Sequence, residues 1–505
     1  MFIVSSISSL KDNYLFALLK IFVPLQYKNS QNMKKFIALV VLIIALAGTL
    51  FYRTTLRERE VVILSTNDMH ANIENFPSLV TAVNLCRDTV STLLVDAGDR
   101  WTGNVFIDLA EDRLPIIDLM NHVGYDVATL GNHEFDKGPK LLQSAISHAK
   151  FPILCANLQS NKEELATPQA AVSIKSSNGV RFRVAGVVTF FDGGHPEGSN
   201  EVYEGLTFCH PFDAATKALA EAKRGEVRLL LSHMGDDKDF EYASVSECCD
   251  IIIGGHTHVV VDSVVNNVVI GQTGRKLTNI GATTVRLKGN RISSIDYRNI
   301  PLANYEKDST TLALIEQIED NPALKVTVGT FANPVSHVGF ADLLTRSLAE
   351  AMGTQLAFYH YGGIRLAEHP EGDIKLSTIY NLEPFESKIH TIVMTPAQMR
   401  AMIIAKYNDT ENPKESHRVD LFCNTPYDIV LDSRGEAVDV LFPKLKEGRK
   451  YSVAMADYIG KKYPSIEGEN RTEHNILVTD VVLDYLRHHP NTKISNHQMQ
   501  KRVKR

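Results

Sequence analysis

Short, uncharged, β-branched runs recur along the first half of the chain and end, again and again, in the same kinds of polar residue. This pattern constrains the fold more than any other feature. Val61–Thr66 ends in Asn67-Asp68-Met69-His70, and Thr92–Val95 runs into Asp96-Ala97-Gly98-Asp99. Val127–Leu130 leads to Gly131-Asn132-His133-Glu134, Val227–Leu231 to Ser232-His233, and Ile251–Ile253 to Gly254-Gly255-His256-Thr257-His258. Pro152–Cys155 and Val180–Val188 share the composition without the polar ending, and Leu114–His122 and Pro139–Ala149 carry helical spacing. Strands apolar throughout, alternating with helices, predict an α/β fold with a sheet buried on both faces. Val259–Ile270 and Ala282–Tyr297, joined by short turns such as Lys288-Gly289-Asn290, are expected to close the domain as antiparallel hairpins.

The carboxyl ends of parallel strands converge on one edge of a sheet, where α/β proteins bind ligands. Asp68, His70, Asp99, Asn132, His233, His256 and His258 should therefore meet. Together they form a mixed oxygen and nitrogen donor set that suits Zn, Mn or a similar divalent ion. One such ion takes three or four protein ligands, so the set is large enough for two, with a carboxylate bridging ions about 3.5–4 Å apart. A pair of this kind polarises a phosphoryl oxygen, makes hydroxide available near neutral pH and orients an in-line attack. Gly98, Gly131, Gly254 and Gly255 read as points where the backbone turns sharply beside the ions. A single His-x-His or Gly-Asp is as often structural as functional. The ordered set, each member after an apolar strand, carries the reading.

The order Asp-x-His, Gly-Asp, Gly-Asn-His-Glu, His, Gly-His-x-His resembles the calcineurin-like metallophosphoesterases. The longer stretch Gly131-Asn132-His133-Glu134-Phe135-Asp136, with a second domain after the site, is similar to the exported 5′-nucleotidases. The catalytic resemblance covers residues 61–300 and implies a β-sandwich flanked by helices, followed by a second α/β domain of the 5′-nucleotidase C-terminal type. It implies that Asp68, His70 and His258 hold one ion, that Asn132, His233 and His256 hold the other, and that Asp99 bridges them. It also implies a catalytic dyad of His133 and Asp136, with a protonated His133 stabilising the developing charge or protonating the leaving oxygen. Asp136 can alternatively be read as the N-cap of the helix that begins at Pro139.

Residues 301–325 read as a linker with a helix at Leu312–Ile318, and 326–489 as the second domain, with helices at Ala341–Ala351 and Pro396–Tyr407. Tyr361-Gly362-Gly363-Ile364-Arg365 resembles the family's substrate loop, with His360 where Asn is expected and Arg365 placed to clamp a phosphate. Phe385 and Tyr458 match the aromatics that stack on a nucleobase, or else pack in a core. Lys461-Lys462-Tyr463-Pro464 stands where the family has Gly-Gly-Asp-Gly, and an arginine expected near Asn333 is missing. The resemblance thus implies hydrolysis of phosphate monoesters, first of all nucleoside 5′-monophosphates. The alternatives are a cyclic-nucleotide or sugar-phosphate phosphoesterase on the same site and, in a different class, a non-catalytic binding protein.

Met33-Lys34-Lys35 precedes an uncharged, mainly apolar run from Phe36 to Tyr52, and Arg53, Arg57 and Arg59 follow it. This is the pattern of a signal peptide or signal anchor over residues 33–52. It implies a protein that is exported, periplasmic or held outside the cytoplasm by residues 36–52. Thr49 stands where lipid attachment would need Cys. Residues 1–32 read as a gene-model extension upstream of Met33. Net charge is −6 over 505 residues with no basic segment suited to nucleic acid, which leaves a small phosphate ester as the expected partner. Residues 490–505, ending Lys501-Arg502-Val503-Lys504-Arg505, read as a solvated basic tail. Six cysteines without a C-x-x-C pair make no disulfide framework, and the sequence leaves the oligomeric state open.

Overall fold

A computed structural model describes residues 30–52, 56–110, 114–191, 194–198, 200–408, 421–462 and 469–504. Residues 1–29 of the expected upstream extension, and Tyr463 and Pro464 of the divergent loop, lie outside the described residues. The chain divides into two compact units. One comprises residues up to Arg59 with Arg286–Ser293, and the other comprises everything else. In the first, Ser30–Phe51 is one α-helix, and its Lys34–Phe51 stretch is exposed and, by length and composition, apolar enough to cross a membrane. An N-terminal signal passes the same test.

Residues 58–301 build two six-stranded sheets. One runs in the order Arg291–Pro301, Asn279–Lys288, Glu58–Thr66, Ser91–Asp96, Val127–Thr129, Ile153–Leu154. The last four are parallel, with Thr66 opposite Asp96 and Asp96 opposite Ala128. The other runs Val260–Val265, Val268–Thr273, Ile251–Ile253, Glu226–His233, Arg181–Val188, Ala171–Lys175, with its four middle strands parallel. The sheets face each other so closely that a Cβ on Gly186 would lie 2.4 Å from Thr129 Oγ1. Helices Phe76–Arg87, Pro115–Val123 and Pro139–His148 cover the first sheet, and Pro211–Ala220 and Asp236–Val245 the second. Each expected sheet is therefore buried on both faces, by helices on one side and by the other sheet across the sandwich.

The expected strand Val259–Ile270 is two strands. Asn266 and Asn267, with φ of 51° and 62°, turn the chain between Val260–Val265 and Val268–Thr273. Two left-handed residues in a two-residue loop match the right-handed twist of a hairpin, and Asn tolerates that region.

Helix Ser309–Ile318 starts on Asp308, whose side chain accepts from Thr311 N, and follows the sandwich. Beyond it, a five-stranded sheet runs in the order Leu421–Cys423, Leu356–His360, Tyr451–Ala456, Lys388–Met394, Glu469–Leu477. Helices His337–Ala351 and Val478–His488 pack on one face and Pro396–Tyr407 on the other. The expected solvated tail is partly a strand. Gln500–Lys504 pairs in parallel with Tyr427–Leu431, and the buried Gln500 donates to Cys423 O at 2.8 Å and Thr425 O at 3.1 Å. A charged strand is tolerated there because Lys501, Arg502 and Lys504 stay exposed while the backbone pairs.

Candidate metal centre and catalytic site

Each ligand-type residue follows its strand at the same edge of the sandwich. Asp68 and His70 lie just beyond Glu58–Thr66, Asp99 beyond Ser91–Asp96, and Asn132 and His133 beyond Val127–Thr129. His233 is the last residue of its strand, and His256 and His258 follow Ile251–Ile253. Among the described residues, three donor groups gather with their ligand atoms within 4.8 Å of one another. They are Asp68, His70 and His258; His70, Asp99 and His133; and Asp99, His233 and His256. His70 Nε2 lies 2.8 Å from His258 Nε2, and His258 Nε2 3.5 Å from Asp68 Oδ1. His233 Nε2 is 3.2 Å from Asp99 Oδ2, and His256 Nδ1 is 3.0 Å from Asn132 Oδ1.

Two divalent cations fit this donor set. His233 Nε2 and His70 Nδ1 are buried without a hydrogen bond, an expense that a metal on the imidazole would relieve for His233. His233 Nδ1 lies 2.7 Å from Ala97 O, which sets it as an N–H; burial opposes charge on this ring, but Asp99 lifts it to about 10, so Nε2 also carries a proton at neutral pH, one that a metal ion would displace. Burial drives His70 and His258 well below the usual histidine range and His256 down to about 4, leaving neutral imidazoles. Burial lifts Asp68 to about 7. Burial also opposes the charge on Asp99, but His233 and then His133 hold its carboxyl well below the carboxylate range. It is the ionised group shared by two of the three donor groups.

The backbone here is strained. Asp68, His70, Asp99, His256 and His258 all take left-handed φ, between 46° and 81°. Non-glycine residues there cost on the order of 1–3 kcal/mol each and cluster at functional sites. Only part of the expected role of the glycines applies. Gly98 does turn, at φ 94°, but Gly131 and Gly255 are there for room. A Cβ on Gly131 would fall 2.2 Å from Asp99 Oδ1, and one on Gly255 would fall 2.8 Å from His233 Nδ1.

His133 sits beside the donors. Its N–H donates to Asp99 Oδ1 at 2.9 Å, and its Nδ1 lies 2.8 Å from Asp136 Oδ2. Burial works against charge on His133, yet Asp136 and then Asp99 lift it to about 9, so Nε2 carries a proton at neutral pH. Asp136 does not cap the following helix, whose N-cap is Gly138 without a side-chain bond. Its carboxylate accepts from Thr102 Oγ1 at 2.6 Å as well as meeting His133.

Several supporting residues escape a reading by strand ends. Asn67 Nδ2 donates to Asp68 Oδ2 at 2.6 Å while its Oδ1 accepts from Thr273 N at 2.8 Å. The buried Glu134 accepts from Asp99 N at 2.9 Å, from Arg100 N at 2.8 Å and from Gly131 N. Arg100 pairs with Asp96 at 2.9 Å. Glu134 stood inside the Gly-Asn-His-Glu stretch, which was a signal. For Asn67 and Arg100 the sequence offered only adjacency to a ligand.

The second domain brings Arg365 and Phe385 to the same place. The guanidinium lies 5.5 Å from the Phe385 ring centre, and that ring is 6.1 Å from the His133 ring. Tyr458 belongs to a separate group. It stacks on His360 at 4.5 Å, and its hydroxyl donates to Glu197 Oε1 of the sandwich at 2.8 Å. Val105 N to Asn381 Oδ1 at 2.6 Å and Lys137 Nζ to Glu386 Oε1 at 2.5 Å also join the two domains. Arg275 and Lys276, absent from the sequence reading, lie on the turn after Thr273. Lys276 Nζ donates to Arg365 O at 3.1 Å.

Comparison with known proteins agrees with this architecture. Residues 61–260 match the family described as calcineurin-like phosphoesterase, and residues 323–465 match the 5′-nucleotidase C-terminal domain. The chain therefore combines a segment of the calcineurin-like phosphoesterase family with a 5′-nucleotidase C-terminal domain. A Bacillus subtilis protein called trifunctional nucleotide phosphoesterase protein YfkN is 26% identical over 422 residues. That alignment covers 70% of this chain and only 28% of the relative. Protein UshA of Yersinia enterocolitica is 24% identical over 87% of this chain and 93% of its own length. A 5′-nucleotidase precursor structure from Thermus thermophilus superposes with TM-score 0.75 over 88% of this chain and 99% of that one, at 18% identity, and so shares the fold.

Proposed function

We propose that this protein hydrolyses phosphate monoesters, with nucleoside 5′-monophosphates foremost, to an alcohol and phosphate. The observation that carries this reading is the cluster of seven metal-type donors with the His133–Asp136 pair and Arg365–Phe385 beside it. Asp68, His70 and His258 would hold one divalent ion, Asn132, His233 and His256 the second, and Asp99 both. When bound, such a pair supplies Lewis acidity and an activated water. Asp136 fixes the His133 ring through Nδ1, so that Nε2–H is presented toward the leaving oxygen. Arg365 offers its guanidinium to non-bridging phosphate oxygens, and Phe385 offers a flat apolar face beside it. Tyr458, placed by His360 and Glu197, would supply a second face for the base. The N-terminal helix supports export, with the catalytic domains outside the cytoplasm and held to the membrane by residues 36–52 or released from them.

Phosphate release from nucleoside monophosphates, cyclic nucleotides, sugar phosphates and an aryl phosphate, with Mn, Zn and Mg in turn, tests the substrate. Preferential release from a cyclic nucleotide or a sugar phosphate would overturn the nucleotide reading. Elemental analysis tests the centre: two ions per active chain are expected, with both weakened in Asp99→Asn.

A further inference from the structure

The N-terminal helix and the hairpin tip Arg286–Ser293 belong to one compact unit. The tip is a tight loop, Gly289-Asn290, between strands Asn279–Lys288 and Arg291–Pro301, and Gly289 takes φ 63° in the first loop position, where such hairpins need glycine. Backbone bonds tie the tip to the end of the helix. Arg57 N donates to Tyr52 O at 2.8 Å, and Gly289 N donates to Arg57 O at 2.7 Å. Arg59 Nη2 donates to Gly289 O and, at 3.2 Å, to Asn290 Oδ1. A single residue and its hydrogen bonds thus separate Tyr52 from Gly289, a reach of at most about 9 Å.

That reach fixes the surroundings of the tip. The apolar stretch Lys34–Phe51 has 18 residues, and at 1.5 Å per residue it rises about 27 Å, close to the thickness of a bilayer's hydrocarbon core. Lys34 and Lys35 open it, and Tyr52, an exposed aromatic of the kind that settles among headgroups, follows its other end. A helix crossing there leaves the tip about one Debye length from the surface, which is ~8 Å in physiological salt. The charge of the tip suits that position. Over residues 57–60 and 286–293 the cations are Arg57, Arg59, Arg286, Lys288 and Arg291, and the carboxylates are Glu58 and Glu60, so five less two leaves a surplus of three. The whole chain carries −6, so the surplus is local. Arg286, Lys288 and Arg291 are exposed, and Leu56 and Ile292 expose apolar side chains beside them. Long cationic side chains lay their stems on an apolar layer and keep their heads among its phosphates.

We propose that the tip Lys288–Ile292, with Arg57 and Arg59, is a docking surface for the anionic phospholipid headgroups of the membrane that the helix crosses. This rests on the membrane-held form of the proposed export. Charge complementarity and the continuity of the tip with the helix end select this partner. The helix alone leaves the chain free to swivel about Tyr52. The tip adds a second point of attachment, and each Lys or Arg near an anionic surface strengthens it about fivefold.

The test uses the full chain in vesicles of phosphatidylcholine alone or of an equal mixture with phosphatidylglycerol, the lipids carrying bromine on their acyl chains. Trp101, buried and the chain's one tryptophan, gives the background in wild type, and Ile292→Trp places a reporter on the tip. Beyond the background, the reporter should be quenched strongly in the mixed vesicles and weakly in the uncharged ones, and about 0.5 M NaCl should release it. Adding Lys288→Gln and Arg291→Gln together should weaken the tip's engagement about 25-fold, fivefold for each charge. The charge-retaining pair Lys288→Arg and Arg291→Lys should restore it, which separates loss of charge from damage to the hairpin. Equal quenching in both kinds of vesicle, or none in the mixture, would overturn the docking surface. Protein that stays out of uncharged vesicles would instead overturn the spanning helix. Sedimentation with the mixed vesicles, lost in the glutamine pair, would then still support the tip, and failure to sediment with them would overturn it.

Discussion

Glu134→Gln is the most informative single change, because it alters one charge and almost no volume. The carboxylate is buried and gathers backbone N–H groups from two loops: Asp99 and Arg100 on one, Gly131 on the other. It thereby ties the loop that carries Asp99 to the loop that carries Asn132 and His133. A glutamine must turn its NH₂ toward at least one of these donors, leaving two N–H groups face to face. An unsatisfied buried donor costs about 1–3 kcal/mol, and hydrogen bonds to a charged group lose about half their strength when the acceptor becomes neutral. Arg100 would also keep Asp96 but lose its second carboxylate, 3.7 Å away. Together these give a loss of about 3–5 kcal/mol. A domain of this size loses roughly 2–4 °C of Tm per kcal/mol, so the catalytic-domain transition should fall by about 6–20 °C. Differential scanning calorimetry with chelator and with added Mn identifies that transition as the one that rises with metal. Metal affinity, read by titration, should fall as well, because Asp99 loses its backbone anchor. A shift under about 2 °C with unaltered metal affinity would mean that Glu134 is a passive filler and that the two loops are held by something else.

His133→Ala should retain near-normal metal content while turnover drops on the order of 10²–10⁴, the range for removing an acid or electrostatic group; metal lost along with activity would make His133 a ligand. Phe385→Ala should cut kcat/KM for a nucleotide about 5- to 150-fold, from roughly 1–3 kcal/mol of stacking, and barely affect an aryl phosphate. Equal losses on both substrates would make Phe385 a packing residue. Glu383 is buried, and burial raises its carboxyl from 4.5 to about 7. The folded state therefore binds the proton more tightly than the unfolded chain, so this group lowers stability as pH climbs from 4.5 to about 7, and the loss then levels off. At 1.36 kcal/mol per unit the span is on the order of 3 kcal/mol, and Glu383→Gln should flatten that part of the stability profile. Parallel profiles for the two proteins in urea melts would refute the assignment.

The strand ends were legible because their physics is local. An apolar β-branched run followed by Asp or His announces both the strand and the candidate donor, and the parallel sheet does the gathering. The second sheet's hairpin was written equally plainly in Asn266-Asn267, but the valines on both sides of that pair let Val259–Ile270 be read as one strand. What one strand at a time cannot show is which loop a side chain reaches across to. Asn67 touching Thr273 and Glu134 touching Asp99 depend on the register of distant strands. Lys276 was invisible for a further reason: nothing in Gly-Arg-Lys-Leu tells that two successive residues adopt a conformation usually left to glycine. The tail misled because its charges describe its side chains, while its fate was decided by the open edge of Tyr427–Leu431, whose other edge pairs with Ala437–Leu441.

The left-handed residues of the metal loops carry a consequence for anyone wishing to toughen this protein. Glycine would relieve the left-handed strain at Asp68, His70, Asp99, His256 and His258, but each of these positions carries a candidate metal donor. Glycine would ease the turn and erase the donor. An exchange to glycine that relaxes these loops removes a candidate ligand atom, so on the proposed reading heat tolerance and turnover are traded against each other there. Improvement by mutation is therefore to be sought in the five-stranded sheet and helices of the second domain, or supplied from outside as dissolved metal, whose binding to the folded form alone raises the melting point by mass action.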